Sequence, residues 1–427
     1  MEKKKDIPEG YWDSPLGVIP KGWEVKRVSE VFVPLHTFSF SRDQMTLNRQ
    51  KLHYIHYGDI HVNVEKDYVD LKKDQLPYVC DGLIPDEKLK SEDFPYLKNG
   101  DILLADASED YDGVGKPWEL IDISNQKVIG GLHTLALRSY TGDVVVGFGR
   151  YIFKNSLGAK FLKRIAQGTK VYAINFNFIS KLNIVLPPAG EQYKIMEILS
   201  LWDKAILTQS TLIEKLELRK KGLMQQLLTG KKRLEKYNGQ WRKVRAGEVF
   251  KSISVKGHGD EELLSVTQEK GVVPRNMLEG RVTMPNGERE SFKLVDVGDF
   301  VISLRSFQGG IEYSNYKGIV SPAYTVLKLK CDGNKEFYKH YFKSVDFIGH
   351  LATAIIGIRD GKQISYEDFC IIKIPFPSLT EQKAIAEILS FADQKIALAK
   401  QKLEFFKAQK KGLMQQLLTG KTRVKPE

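Results

Sequence analysis

Gly113-Val114-Gly115-Lys116 is the nearest this chain comes to a phosphate loop, but the upstream glycine spacing is absent and Pro117 replaces the Ser or Thr that would meet Mg²⁺. Pro85-Asp86-Glu87-Lys88 has the residue types of a nuclease acidic motif. Its carboxylates are adjacent, without the long gap to a Glu-x-Lys strand, and a solvated loop is the simpler reading. His53, His56 and His61 lie close together on an aromatic strand pattern with no Cys or HExxH companion, so strand packing or nucleic-acid contact is expected there in place of a metal site. Pro187-Pro188 is followed by Ala189-Gly190 and not by the aromatic residue of a base-methyltransferase motif. Neither a catalytic set nor a metal set is therefore expected. Cys80, Cys331 and Cys370 fit reduced core thiols and no disulfide framework.

The formal charge is +12, with 28% charged residues of both signs, which points to a polyanionic partner. No apolar run approaches 18 residues, and Lys3-Lys4-Lys5 is followed by Asp6, Pro8 and Glu9 where a signal peptide would need an apolar core. A cytoplasmic location is expected.

Whatever these residues do, a duplicated scaffold must position them. The twelve residues Lys220 to Lys231 recur at Lys410 to Lys421, and Glu191-Gln192, Ile195, Leu199 and Asp203 are answered 190 positions later by Glu381-Gln382, Ile385, Leu389 and Asp393. Alternating steps of four and three from Ile195 and Ile385 give a heptad stripe, whose expected helix-pair seam includes Ile195, Leu199, Trp202, Ile206, Ile213 and Leu216 on one copy. Ile385, Leu389, Ile396, Leu403 and Phe406 are its counterparts on the other. Prolines precede each copy, Ser378 and Glu381 are spaced as a capping box, and Thr-Gly ends both copies at Gly230 and Gly420. Each helix should span about 60 Å at 1.5 Å per residue. If the intervening segment is compact, the two pack antiparallel. Lys220 and Lys410 fall on the stripe near the helix C-termini, where each ammonium is expected to reach water. Met224, Leu228, Phe405, Met414 and Leu418 fall off the seam and are expected to dock partner helices.

The expected layout is a first domain at 1–186, a central spacer helix at 187–234, a second domain at 235–376 and a distal spacer helix at 377–427. The domains are weakly alike: Trp23 answers Trp241, Gly100-Asp101 answers Gly298-Asp299, and His133-Thr134 answers Tyr324-Thr325. Gly-Asp before an apolar run reads as a turn into a buried strand, not as a catalytic acid. Expected strands at 54–61, 102–105, 144–146, 300–304 and 325–329, with a few helices, make both domains mixed α/β. The fold class is thus α/β, with two such domains, a pair of long antiparallel coiled-coil helices and a pseudo-two-fold internal repeat.

With the paired Glu-Gln, long-helix, LLTGK segments, the entries Ile19-Pro20-Lys21-Gly22-Trp23 and Asn238-Gly239-Gln240-Trp241, the Tyr57-Gly58-Asp59-Ile60 strand end and Gly318 to Tyr324, the whole chain resembles the specificity subunit of type I restriction-modification systems. The resemblance implies two target-recognition domains, each reading half of an asymmetric bipartite duplex DNA site across a helical ruler. It implies a non-catalytic chain that docks modification (methyltransferase) subunits, two per chain, and through them restriction/translocase subunits, with S-adenosylmethionine, ATP and Mg²⁺ on those partners and no cofactor here. The candidate DNA contacts are Ser41, Arg42, Tyr57, Asp106, Ser108, Lys116, His133 and Lys170 in the first domain. Arg305, Ser306, Gln308, Tyr324, Arg359 and Lys362 are those in the second. Among them Arg and Gln can pair with guanine or adenine edges, while Lys116, Lys170, Arg359 and Lys362 suit phosphates. Three other readings compete: a specificity subunit paired with a fused nuclease-methyltransferase, a coiled-coil protein scaffold, and a self-sufficient DNA enzyme.

Overall fold

The computed structural model describes residues 7–425 apart from 64–65, 112, 169, 279–288, 305, 331 and 355–363. The chain divides into two compact units, one built from residues 1–210 and 401–427 and the other from residues 211–400. Each unit therefore contains one mixed α/β domain and half of each long helix.

The first unit is organised on a five-stranded sheet in the order Phe32–Leu35, Thr134–Ser139, Ile102–Ala105, Pro117–Asp122, Tyr68–Asp70. Every pairing is antiparallel except the last. The central strand is buried throughout, as its apolar run requires: Ile102 and Leu104 face one core cluster and Leu103 and Ala105 face another. A second sheet of four short strands includes His53–Ile55. In the second unit the strands Phe250–Ile253, Thr325–Leu329, Phe300–Ile302 and Glu312–Tyr313 repeat the order of the first four strands above. Gly100 and Gly298 take φ of +90° and +89° in the turns that launch the two central strands. The aspartates after them serve the fold: Asp101 is buried against the Arg138 guanidinium at 2.6 Å, and Asp299 accepts from the Asp296 amide at 3.0 Å.

Two expected strands are corrected. Residues 54–61 form a strand only to Ile55, and Tyr57–Val62 is a helix. His56 accepts the Gly58 amide through Nδ1 at 3.1 Å while Asp59 accepts the His56 amide at 2.8 Å, a reciprocal cap that overrides the aromatic β pattern. Residues 144–146 are a turn, held where the Val145 amide donates to Gln192.

The two long helices are Ala189–Leu227 and Leu379–Leu417, 39 residues each. Gly230 and Gly420, just past their ends, take φ of +71° and +70°, the left-handed stop expected of the Thr-Gly signal. In both units the first half of one helix pairs with the second half of the other, so they run antiparallel. Ile195, Leu199, Ile206, Ile213, Ile385, Leu389 and Ile396 are buried, whereas Trp202, Leu216, Leu403 and Phe406 are half-buried on the same seam. Trp202 meets Phe406 edge-on at 5.7 Å.

The lysines on this stripe do not snorkel to water as expected. Lys410 is 6% exposed and pairs with Asp203, itself 7% exposed; Lys220 pairs with Asp393 at 2.5 Å. Since Lys220 answers Lys410 and Asp203 answers Asp393, the duplicated sequence builds the same ion pair twice, each time between the two helices. An apolar stripe interrupted by one charge pair per unit, buried in the first and partly exposed in the second, favours one register.

The expected docking group is also corrected. Leu228 is fully buried in the core of the second unit, and Met414 and Leu418 are buried in that of the first, beside Ile195 and Leu199. Met224 is half-buried against its domain core. Heptad phase assigns an angle around a helix but not what covers that angle, and here a domain covers it. Phe405, 57% exposed, remains outside.

The second unit holds two opposed titrations. Burial and the Lys220 charge hold His340 down at about 4, while burial pushes Glu312 up to about 6 against the pull of Lys343. The unfolded His340 takes a proton first as pH falls, so its contribution to stability is present above pH 6.5 and lost toward pH 4. Glu312 contributes below pH 4.5 and is lost as pH rises through 6. Since a tenfold change in proton affinity corresponds to about 1.36 kcal/mol, the His340 contribution is about 3 kcal/mol and the Glu312 contribution about 2 kcal/mol, in opposite directions. His340→Asn should therefore remove about 2 kcal/mol of acid sensitivity between pH 7 and 4.5, measured by urea titration with hydrogen exchange over residues 335–341. Parallel profiles in variant and wild type would rule the His340 titration out.

Candidate nucleic-acid interface

In the first unit, four chain segments meet where the central strand ends at Ala105 and its neighbour begins at Thr134. Ser41 and Gln44 form a capping box around the turn Arg42–Gln44, which presents Arg42. The Arg42 guanidinium reaches the Asp59 carboxylate at 3.2 Å and is otherwise open, with 57% of its side chain exposed. The helix Tyr57–Val62 places Tyr57 at the centre of a ring cluster, edge-on to His133 at 5.4 Å and to His61 at 5.8 Å, with His56 at 4.4 Å.

His133 is a non-glycine residue at φ +55°. That conformation is costly and is held from two sides: the His133 carbonyl accepts the Asp106 amide at 3.1 Å, and the ring Nδ1 lies 3.3 Å from the Asp106 carboxylate. Burial pushes Asp106 above the usual carboxylate range, against the pull of His133. Burial and the Arg42 charge hold His56 below the ordinary imidazole value, so at neutral pH it is an uncharged acceptor for its own cap.

Ser41, Arg42, Tyr57, Asp106, Ser108 and His133 thus come together from distant stretches of sequence. Lys170 joins them indirectly, in the loop whose Tyr172 pairs with Ser108. Three candidates are reassigned by their bonding. The Lys116 ammonium donates to the carbonyls of Ile60 at 2.7 Å and Asn63 at 2.9 Å, closing the C-terminal end of the helix bearing Tyr57, so it stabilises the platform and is not a free phosphate contact. Ser108 is buried and accepts the Asp110 amide, and so shapes the loop from inside.

Ser306, at the equivalent strand end of the second unit, is 1% exposed and accepts the Ser303 amide at 2.8 Å. A serine so enclosed forms the turn and does not meet a base. Gln308 is exposed on the short helix Ser306–Gly309, and Tyr324, half-buried, holds the Lys293 ammonium on its carbonyl at 2.6 Å. The register Ile302↔Thr325 answers Ala105↔Thr134, which makes Tyr324 the positional counterpart of His133. Arg305, Arg359 and Lys362 lie outside the described residues, as does Cys331.

Sequence reasoning missed His56 and Asp59 as architects of the cluster; their i, i+3 spacing was the available signal. It also missed Tyr111, 44% exposed and edge-on to Tyr172 at 5.1 Å, and Gln268, packed against Gly309 beside Gln308. His53 stacks on Tyr78 at 4.0 Å between strands. Among the described residues, no group of three His, Cys, Asp or Glu side chains is placed to hold a metal ion, and no helix is long and apolar enough to cross a membrane.

Residues 20–218 and 238–405 each match the family model described as the type I restriction modification DNA specificity domain. The chain belongs to the type I restriction-modification specificity subunits. Two relatives in Methanocaldococcus jannaschii bear this out. A putative type I restriction enzyme MjaX specificity subunit is 27% identical, over 98% of this chain and 97% of its own. The type I restriction enzyme MjaVIII specificity subunit is 30% identical over 64% of this chain and 70% of its own. The fold is shared with the type I restriction-modification S subunit of M. genitalium, at TM-score 0.53 and 14% identity, covering 93% of this chain and 96% of that one. A chain from a study of type I complex assembly and conformational transition gives TM-score 0.57 at 17% identity, covering 95% and 99%. In this specificity subunit the strand-end clusters lie one in each matched domain, at equivalent places and with different side chains.

Proposed function

We propose that this specificity subunit reads an asymmetric bipartite duplex DNA site, one half-site with each strand-end cluster, and is itself non-catalytic. The observation that carries this reading is the equivalence of the two clusters in backbone position combined with their difference in chemistry. An Arg, His and Tyr surface in the first domain and a Gln and Tyr surface in the second suit different bases, so the two half-sites differ. The antiparallel helices act as the spacer between recognition events, which rewards one separation and helical phase of the half-sites through effective concentration.

Modification subunits dock on the chain, two per chain, and carry S-adenosylmethionine; restriction/translocase subunits joined through them carry ATP and Mg²⁺, and the whole acts in the cytoplasm. Phe405 supports docking on the helices, as do Leu201 at 65% and Leu218 at 71% exposure, apolar side chains left uncovered by the described residues.

The test is the reconstituted methyltransferase complex with Arg42→Ala. A base-reading Arg42 predicts relaxed preference at one base pair of one half-site, worth about 1–3 kcal/mol of discrimination, with the other half-site unchanged. Equal loss on every sequence would make it a phosphate contact. Absence of duplex binding by the intact complex would leave the protein-scaffold reading in its place.

A further inference from the structure

The two units share a basic corner that is packed by added chain in one and borders a cleft in the other. In the first unit, Lys154 immediately precedes the helix Ser156–Ile165 and its Asn155 cap, and Lys410 lies on the long helix beside it. Between them sits Asp67, 3% exposed, with its carboxylate 2.5 Å from the Lys154 ammonium and 3.1 Å from Arg150. Tyr68 follows it beneath the Arg150 guanidinium at 5.0 Å. Asp67 and Tyr68 come from the additional sequence of the first domain, on or beside a fifth strand that has no counterpart among the described residues of the second.

In the second unit Lys343 holds the position of Lys154, just before Ser344 and the helix Val345–Ala354, and Lys220 holds that of Lys410 by the repeat itself. No strand corresponding to Tyr68–Asp70 is described there. In its place is a cleft of about 690 Å³, within the range of ligand-binding clefts, lined by Lys220, Lys221, Lys231, Lys343 and Lys400 against Glu217, Asp346 and Asp393. Three of these lysines have carboxylate partners: Asp393 for Lys220, Glu217 for Lys400 and Glu312 for Lys343. Lys221 and Lys231 have no ion pair among the described residues, and both are exposed. Met224, Val345 and Ile396 give the same cleft an apolar wall.

We propose that this cleft receives an acidic, aromatic-bearing peptide segment of another protein, which does in the second unit what Asp67 and Tyr68 do in the first. The charge excess is cationic, the wall beside it is apolar, and the first unit shows a carboxylate with an adjacent ring as the group that fills the matching corner. A bare phosphate would meet the lysines and leave the apolar wall unused. The inference is independent of the DNA reading above.

The experiment uses the full chain and a fluorescein-labelled hexapeptide of alternating aspartate and tyrosine, with binding followed by anisotropy. Lys221→Glu with Lys231→Glu should weaken binding at least tenfold; both side chains are exposed, and an unchanged circular dichroism spectrum checks the fold. A charge-matched control, Lys88→Glu with Lys90→Glu on an exposed segment of the first unit, should stay within twofold. Absence of wild-type binding, or equal weakening in the cleft variant and the control, would overturn the proposal. So would displacement of the peptide by equimolar inorganic phosphate or by duplex DNA, which would mark the cleft as a phosphate site.

Discussion

Asp203→Ala should destabilise the first unit by about 3–5 kcal/mol, the cost of removing one member of a buried ion pair while its partner stays in place. Asp203 and Lys410 are both almost completely enclosed. The Asp203 carboxylate also accepts the Tyr151 hydroxyl at 2.8 Å and lies 3.8 Å from the Arg150 guanidinium. Without it Asp67 is the one carboxylate left facing both Lys410 and Arg150 among the described residues, and burial together with the neighbouring Lys154 already pulls the Lys410 ammonium below its ordinary range. The symmetry-related Asp393→Ala provides the control. Asp393 keeps 43% and Lys220 23% of side-chain exposure, so water can replace much of what is lost and a cost of about 1 kcal/mol or less is expected. Urea unfolding followed by hydrogen exchange in each unit reads both. Equal losses in the two variants would show that burial does not decide the strength of these pairs.

The seam was legible because a heptad repeat depends on side-chain angle alone, and Ile206, Ile213 and Ile396 lie where that angle puts them. What covers each angle depends on chain folded back from far away in sequence. That is why Leu228, Met414 and Leu418 read as free docking residues and are core, and why Lys410 read as a solvated helix end and is enclosed. At the candidate interface, the divergence of two copies after Gly100-Asp101 and Gly298-Asp299 pointed to the strand ends at which the two clusters lie. It did not separate residues that face outward, such as Gln308, from residues that build the turn, such as Ser306. Lys116 shows the same limit: a lysine in a glycine-rich stretch suits a phosphate until two carbonyls are found within 3 Å of it. His56 was misread for a different reason. Local aromatic alternation favoured strand, and a two-bond cap was enough to start a helix one residue later.

The paired Glu-Gln signals carry the other large effect. Glu381 was expected to close a capping box with Ser378, and only half of that box exists: the Glu381 amide donates to Ser378 at 3.3 Å, but its carboxylate turns away. That carboxylate, 2% exposed, accepts the Trp241 indole N–H at 2.9 Å and two N–H groups of Arg233 at 2.6 and 2.8 Å. Next to it Gln382 accepts the Asn334 amide at 2.8 Å and donates to the Pro377 carbonyl at 2.9 Å. One helical turn thus ties together the entry strand of the domain, the segment after the other long helix and the loop before Lys335. The first unit repeats the device, with Glu191 accepting from Trp23 at 3.1 Å and from Arg423. Glu381→Ala leaves an indole N–H and a guanidinium facing a site that water reaches poorly, so a loss of about 3 kcal/mol or more from the second unit is expected. Glu381→Gln keeps one acceptor for Trp241 but sets an amide N–H₂ against Arg233, and should recover less than half of that loss. Combining Glu381→Gln with Arg233→Met removes the conflict and should raise the urea midpoint above that of Glu381→Gln alone. If the double variant were instead the sum of two independent losses, Arg233 and Glu381 would be uncoupled, and the Glu-Gln repeat would be a helix-start signal and no more.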